Sequence, residues 1–358
     1  MKKLFIFALI AVISLSIFGC SANTPAPANT PAAKDYSGTY TGYSWKGEAK
    51  GTTLNEAAQK IETVLTLDNK GVITDASMLF YKQDKEGKWY TRQDPSAEVA
   101  VDFSVTPTAA TLQNDKQEYA AGNSMFKIKT ADLMSFYAVA VSEDSTIAFG
   151  IVEPFTRYLN EIKVDKNFDL STKIKDMTIG NGLVVPTVRT STSGLNKPKD
   201  WSELQDKNFL NVHSVFHVIT EAGVFKGITQ ESTIKDLLVS AGVTFEGDIA
   251  KPLAVKYGRS GVGGWEGNYK NIEDFLVGKN ALELKSLIDW EVPRYKAGIN
   301  ADNFFGVDGV AGATKTVQNS TDGIAGATVR ISREATSYQR ALVEAGILTE
   351  EEVVKGRF

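Results

Sequence analysis

The sequence predicts an α+β fold: short antiparallel strands with packed helices, in two related halves. Three observations point there. Short runs of β-branched and aromatic residues recur between turns containing Gly, Asn or Asp. Helical spacing is confined to a few stretches, of which residues 332–345 are the clearest. A segment at 181–191 also echoes one at 322–332, as a duplicated unit would.

The start of the chain reads differently. Lys2 and Lys3 precede an almost unbroken apolar run, 4–18, too short to span a bilayer comfortably. The run ends in Gly19-Cys20 and resembles a bacterial lipoprotein signal. That resemblance implies that 1–19 is a signal peptide and that Cys20 is lipidated and becomes the new N-terminus. Cys20 is the only cysteine of the chain, so the body is expected to work outside the cytoplasm without disulfides. Acyl chains such as palmitate would hold it at a membrane face. Residues 20–35 are expected as the lipidated Cys and an extended linker: 21–34 read SANTPAPANTPAAK, which writes Ala-Asn-Thr-Pro-Ala twice.

The folded body is expected as two domains, 36–195 and 200–358, joined by the polar stretch 190–199. YSGTYTGY (36–43) alternates like a first strand. Residues 61–67 form a strand that turns at Asp68-Asn69-Lys70-Gly71 into Val72-Ile73, a hairpin. Further strands are expected at 99–105, 135–141, 146–152 and 212–220. Residues 233–242 read as a short helix closed by Gly242, and 271–277 and 281–288 carry helical spacing. The last long helix is expected at 332–345, capped by Ser332 and ended by Gly346. Thr349 and Glu352 then form a capping box.

With 358 residues, 42% apolar and 23% charged, the chain is globular beyond its N-terminus. Its net charge of −4 and lack of a dense Lys/Arg cluster argue against nucleic acid as a partner.

The segment DGVAGATKTVQNSTDGIAGATVRIS (308–332) spells Asp-Gly-aliphatic-Ala-Gly-Ala-Thr twice, with fourteen residues from Thr314 to Thr328. Gly and Ala leave the backbone bare for close approach. Amides at a helix N-terminus suit a phosphate, and a Thr hydroxyl there could bond to the phosphate or be esterified to it. The local residues alone are equally compatible with two Gly-containing turns. No Lys follows the last Gly as in a Walker loop, and no GxGxxG opens a βαβ unit. At 181–191, NGLVVPTVRTS keeps the Gly, Thr, Val, Arg and Ser of 322–332 but has Val185-Pro186 in place of Gly-Ala.

The Asp-x-x-x-Gly-Ala-Thr tail, followed by a helix, resembles the signature of the FMN-binding domain family. That family includes the C subunit of sodium-pumping NADH:quinone reductase, the G subunit of the Rnf complex and extracytoplasmic electron-transfer lipoproteins. The opening strand, the hairpin at 68–71 and the terminal helix are also similar. The resemblance implies a C-terminal FMN-binding-type domain and covalent FMN, joined through its phosphate to the motif Thr. An ApbE-type flavin transferase, using FAD and Mg²⁺, would attach it. The implied acceptor is Thr328, with Asp322, Gly323, Ala325, Gly326 and Ala327 forming its loop. The alternative is Thr314, with Asp308, Gly312 and Ala313. Ala325 and Ala311 stand where the family has Ser or Thr. Thr328 is favoured because it precedes the helix almost directly.

The expected function is therefore electron carriage by a lipid-anchored flavoprotein with unknown redox partners, rather than catalysis on a substrate of its own. The rival readings are a non-flavin ligand-binding or structural lipoprotein and a reductase of a small molecule. No Ser/His/Asp set is visible, and His213 and His217 lack the context of a metal site. Residues 261–267, GVGGWEG, read as a flexible loop whose Trp265 could stack on an isoalloxazine ring.

Overall fold

Alternation of apolar and polar residues builds the first sheet. In the computed structural model, Ile61, Thr63, Leu65 and Leu67 of one strand are buried while their neighbours are half-exposed, the period of two that a strand imposes. The structure describes residues 34–113, 118–153, 157–188, 198, 200–211, 217–220, 222–288, 331–356 and 358. The expected signal peptide, Cys20, nearly all of the spacer, and both copies of the Gly-Ala-Thr motif lie outside the described residues.

Strands β1 (Gly38–Trp45), β2 (Gln59–Leu67), β3 (Ile73–Gln83) and β4 (Trp89–Thr91) form an antiparallel meander in chain order. The expected turn closes β2 onto β3: Asp68 Oδ1 accepts from the amides of Lys70 and Val72, both at 2.8 Å, and Gly71 takes φ 82°. Strand β5 (Ala97–Val101) pairs with β8 (Phe126–Thr130), and β6 (Thr111–Leu112) with β7 (Tyr119–Ala120). The second sheet runs β12 (Val184–Thr187), β11 (Leu159–Val164), β10 (Ile147–Val152), β9 (Phe136–Val141) and β15 (Leu253–Arg259). Every residue of β9 and β10 is buried, because both faces of these central strands are covered. The small pair β13 (Phe245–Glu246) and β14 (Ile249–Ala250) precedes β15. The described helices are α1 (His217–Thr220), α2 (Ile234–Ala241), α3 (Gly264–Leu276) and α4 (Ser332–Glu344).

The α+β class is thus observed. Contacts cross the expected boundary at 190–199 in both directions. Strand β15 pairs with β9, and α4 packs on β1 and β2. Residues on the two sides therefore interleave.

Several local expectations need correction. Residues 217–220, expected as strand, are a single helical turn; a short apolar run has no period long enough to separate the two states. Residues 281–288 form a turn followed by irregular chain, although Ala281, Leu287 and Ile288 are buried in the first core. The Gly-rich loop ends at Gly263 (φ 92°), and residues from Gly264 onward already belong to α3. The strand expected at 99–105 spans Ala97–Val101 instead. Helix α4 has Ile331 as its N-cap with no side-chain cap, so Ser332 lies inside the helix. Helix α2 matches expectation, with a Thr233–Asp236 capping box and Gly242 at φ 106°.

Close backbone packing joins the first strand and the last helix of the described body. A Cβ built on Gly42 would lie 2.1 Å from Ser337 O and 2.2 Å from Ala341 N, so α4 rests directly on the β1 backbone. The small side chains of Ser337 and Ala341 permit this approach, and buried Thr63 and Ser337 share a hydroxyl bond of 2.7 Å. Strand β1 is a sheet edge, and α4 supplies partners to its outer groups. Arg340 Nη1 donates to Tyr43 O at 2.8 Å, Ser44 Oγ donates to Arg333 O at 2.7 Å, and Thr41 N donates to Glu344. Gly42→Ala must push helix and sheet apart. It should destabilise the chain by about 3 kcal/mol or more in urea unfolding, and a loss below about 1 kcal/mol would contradict this packing.

Candidate functional site

Helix α4 opens at Ser332, four residues after Thr328 in the sequence. Its first turn carries Arg333 and Glu334 into a buried polar cluster. Glu334 is fully buried; its Oε1 accepts from Tyr269 Oη at 2.7 Å and from Arg333 Nε at 3.0 Å. Burial, with the Glu334 charge added, raises the Tyr269 phenol well above its ordinary range. Burial opposes the Arg333 charge, but Glu334 and Tyr269 outweigh it and hold the guanidinium protonated.

A second carboxylate, Asp132, is largely buried as well. Asp132 accepts from Arg92 Nε at 2.9 Å and Arg157 Nε at 3.1 Å, and also from Arg92 Nη2. The amide of Met134 donates to it at 2.7 Å. Arg259 Nη1 donates to the Asp132 carbonyl and, at 3.3 Å, to the Met134 carbonyl. The side chains of Arg92, Asp132 and Arg157 are only 14%, 10% and 10% exposed. Burial pushes the Asp132 carboxyl up, but the Arg157 and Arg92 charges outweigh burial and hold it far below the usual carboxylate range. Burial pushes the Arg92 guanidinium down, against the pull of Asp132.

Between the two carboxylates sit Phe80 and Trp265, edge to face with centroids 5.1 Å apart. The Arg92 guanidinium lies 4.1 Å from the Trp265 ring centre and 4.7 Å from that of Phe80. That of Arg333 lies 5.1 Å and 4.7 Å from the same two centres. Each is a cation–π distance. Trp265 is 6% exposed, and Tyr269 meets it edge-on at 5.6 Å. The stacking role expected of Trp265 therefore changes: arginines and aromatic neighbours already crowd its ring, and what it offers is a polar edge. Its Nε1 is buried without a partner among the described residues, as is Glu334 Oε2.

The expected site residues Asp308, Gly312, Ala313, Thr314, Asp322, Gly323, Ala325, Gly326, Ala327 and Thr328, the lipidation site Cys20, and His213 lie outside the described residues. Of the third echo, Val184–Thr187 form β12 on the edge of the second sheet, and Val185 is fully buried. Those four residues serve as sheet structure. Among the described residues no group of His, Cys, Asp and Glu could hold a metal ion, and no helix is long and apolar enough to cross a membrane. The sequence reading missed Arg92, Asp132, Arg157 and Arg259, which lie far apart in the chain and carry no shared spacing. Arg333 had one signal, its place five residues after Thr328. No family model, curated protein or solved structure matches this chain.

Because the Asp132 carboxyl titrates lower in the folded chain than in the unfolded one, its stabilisation is full above the ordinary value of about 4 and is lost as pH falls below it. Asp132→Asn leaves two buried guanidiniums without their shared carboxylate and should cost about 3–5 kcal/mol at pH 7. Urea unfolding should show the gap from wild type narrowing from about pH 4 downward. A gap that stays constant with pH rules out this role.

Proposed function

We propose that the chain is a lipid-anchored, extracytoplasmic flavoprotein that carries covalent FMN and passes electrons within a membrane-associated redox chain. The observation that carries this reading is the repeated Asp-Gly-x-Ala-Gly-Ala-Thr motif, whose second copy ends four residues before α4. Thr328 is the proposed phosphoester oxygen and Thr314 the alternative. Gly326 and Ala327 leave the backbone bare beside it, and Asp322 orders the loop or marks it for the transferase. The ester forms as the Thr oxygen displaces AMP from FAD on an ApbE-type, Mg²⁺-dependent flavin transferase, with the hydroxyl proton released. FMN supplies the one- and two-electron chemistry; the protein supplies anchoring, orientation and tuning.

The described residues beside α4 suit such a group. Arg92 and Arg333 are fixed cations, and Trp265 Nε1 is a buried donor in search of an acceptor. An anionic group rich in oxygen meets both needs. Covalent attachment keeps the cofactor on a protein that faces an open medium, where free FMN would diffuse away. Cys20 and the Pro-rich spacer would tether the body and give it reach. The segment 181–191 fits a duplicated half whose copy has lost the Gly-Ala pair.

The test is the chain co-expressed with the transferase, with Thr328 and Thr314 replaced by Ala singly and together. The expected result is one FMN mass increment, with flavin absorbance that survives denaturation, lost in Thr328→Ala and in the double variant. Unchanged flavin content in the double variant excludes both acceptors.

A further inference from the structure

One buried donor, Trp265 Nε1, sits between two guanidiniums without an acceptor among the described residues. Arg92 uses Nε and Nη2 on Asp132. Arg333 uses Nε on Glu334, with the Tyr269 hydroxyl also supporting its charge. Trp265 Nε1 donates to nothing among the described residues, at 6% exposure. A buried N–H without an acceptor costs about 1–3 kcal/mol, so such groups are ordinarily found paired.

Charge and backbone favour the same kind of partner. Asp132 divides one negative charge between Arg92 and Arg157. The Arg92 and Arg333 guanidiniums both approach Phe80 to 4.7 Å, and each lowers the cost of an anion beside the other. Trp265 belongs to the first turn of α3, and Arg333 to the first turn of α4. Neither helix, each thirteen residues long, has a side-chain cap at its N-terminus. The first turns of two helices therefore each bring a side chain to the cluster. Glu334 Oε2 is the one orphaned acceptor nearby, and a protonated oxygen of the ligand would satisfy it.

We infer that Arg92, Arg333 and Trp265 Nε1 form a seat for an oxyanion of the phosphate class. This stands apart from the flavin reading, because phosphate alone tests it. The seat could take free phosphate or the phosphate of a nucleotide already held by the chain.

The experiment uses the full chain made without flavin transferase. Inorganic phosphate is titrated against chloride at matched ionic strength, and the melting temperature is followed. The expected result is a saturable rise specific to phosphate. Trp265→Phe keeps an aromatic ring against Phe80 and Tyr269 but removes the N–H, and should weaken phosphate binding about tenfold. Arg92→Met and Arg333→Met should abolish the rise, and circular dichroism shows whether they fold; if they do not, Trp265→Phe decides. Absence of a phosphate-specific rise overturns the inference, as does a rise of equal midpoint in Trp265→Phe. Repeating the titration on flavin-loaded protein separates the sources. Loss of free phosphate binding there assigns the seat to the nucleotide phosphate, and its persistence assigns it to free phosphate.

Discussion

The contact on which this fold turns is the seating of α4 on β1, across the bare backbone of Gly42. The strand begins at Gly38 and the helix ends at Glu344, so the contact ties the start of the described body to its end. It replaces a neighbouring strand at the β1 edge with side chains from the helix, which both protects the edge and fixes the rotation of α4. With that rotation set, Ser337 and Ala341 face the sheet, while Arg333 and Glu334 reach the space beside Phe80 and Trp265.

A second constraint joins the two sheets. Asp132 lies just before β9, and its partner Arg92 lies just after β4. Arg259, at the end of β15, binds the same turn through its carbonyls. Buried ion pairs contribute little net stability over apolar packing, since desolvation offsets most of the attraction. Their value here is placement. A carboxylate shared by guanidiniums holds the Arg92 cation against the indole, and a well-packed apolar substitute could not offer that charge. The attachment loop proposed for flavin directly precedes Arg333 and Glu334 in the chain, so the proposed function and the oxyanion seat place their demands on one end of α4.

The sequence was most legible where local rules decide. The Asp68–Gly71 turn, the Thr233 capping box and the long terminal helix follow from residues a few positions apart, and each was readable. Strands β9 and β10 were readable as apolar runs, but their partners were not. Pairing of β9 with β15 spans more than a hundred residues, and no local pattern encodes it. The run 281–288 has helical spacing yet turns instead, because its apolar side chains fill a core shaped by β3 and α3. The arginine cluster was invisible for a related reason: four charged residues from four separate segments become one site only after the sheets are assembled. The Gly-Ala-Thr repeat was the opposite case, plain in sequence and outside the described residues.

The most direct measurement is native-state hydrogen exchange across β1, β2 and α4. If Gly42 packing makes the first strand and the last helix of the described body one cooperative unit, the slowest amides of all three elements share a single opening free energy and respond together to denaturant. Helix amides that open at markedly lower free energy than those of β1 and β2 would contradict the account, because α4 would then come and go without disturbing the sheet it is said to complete.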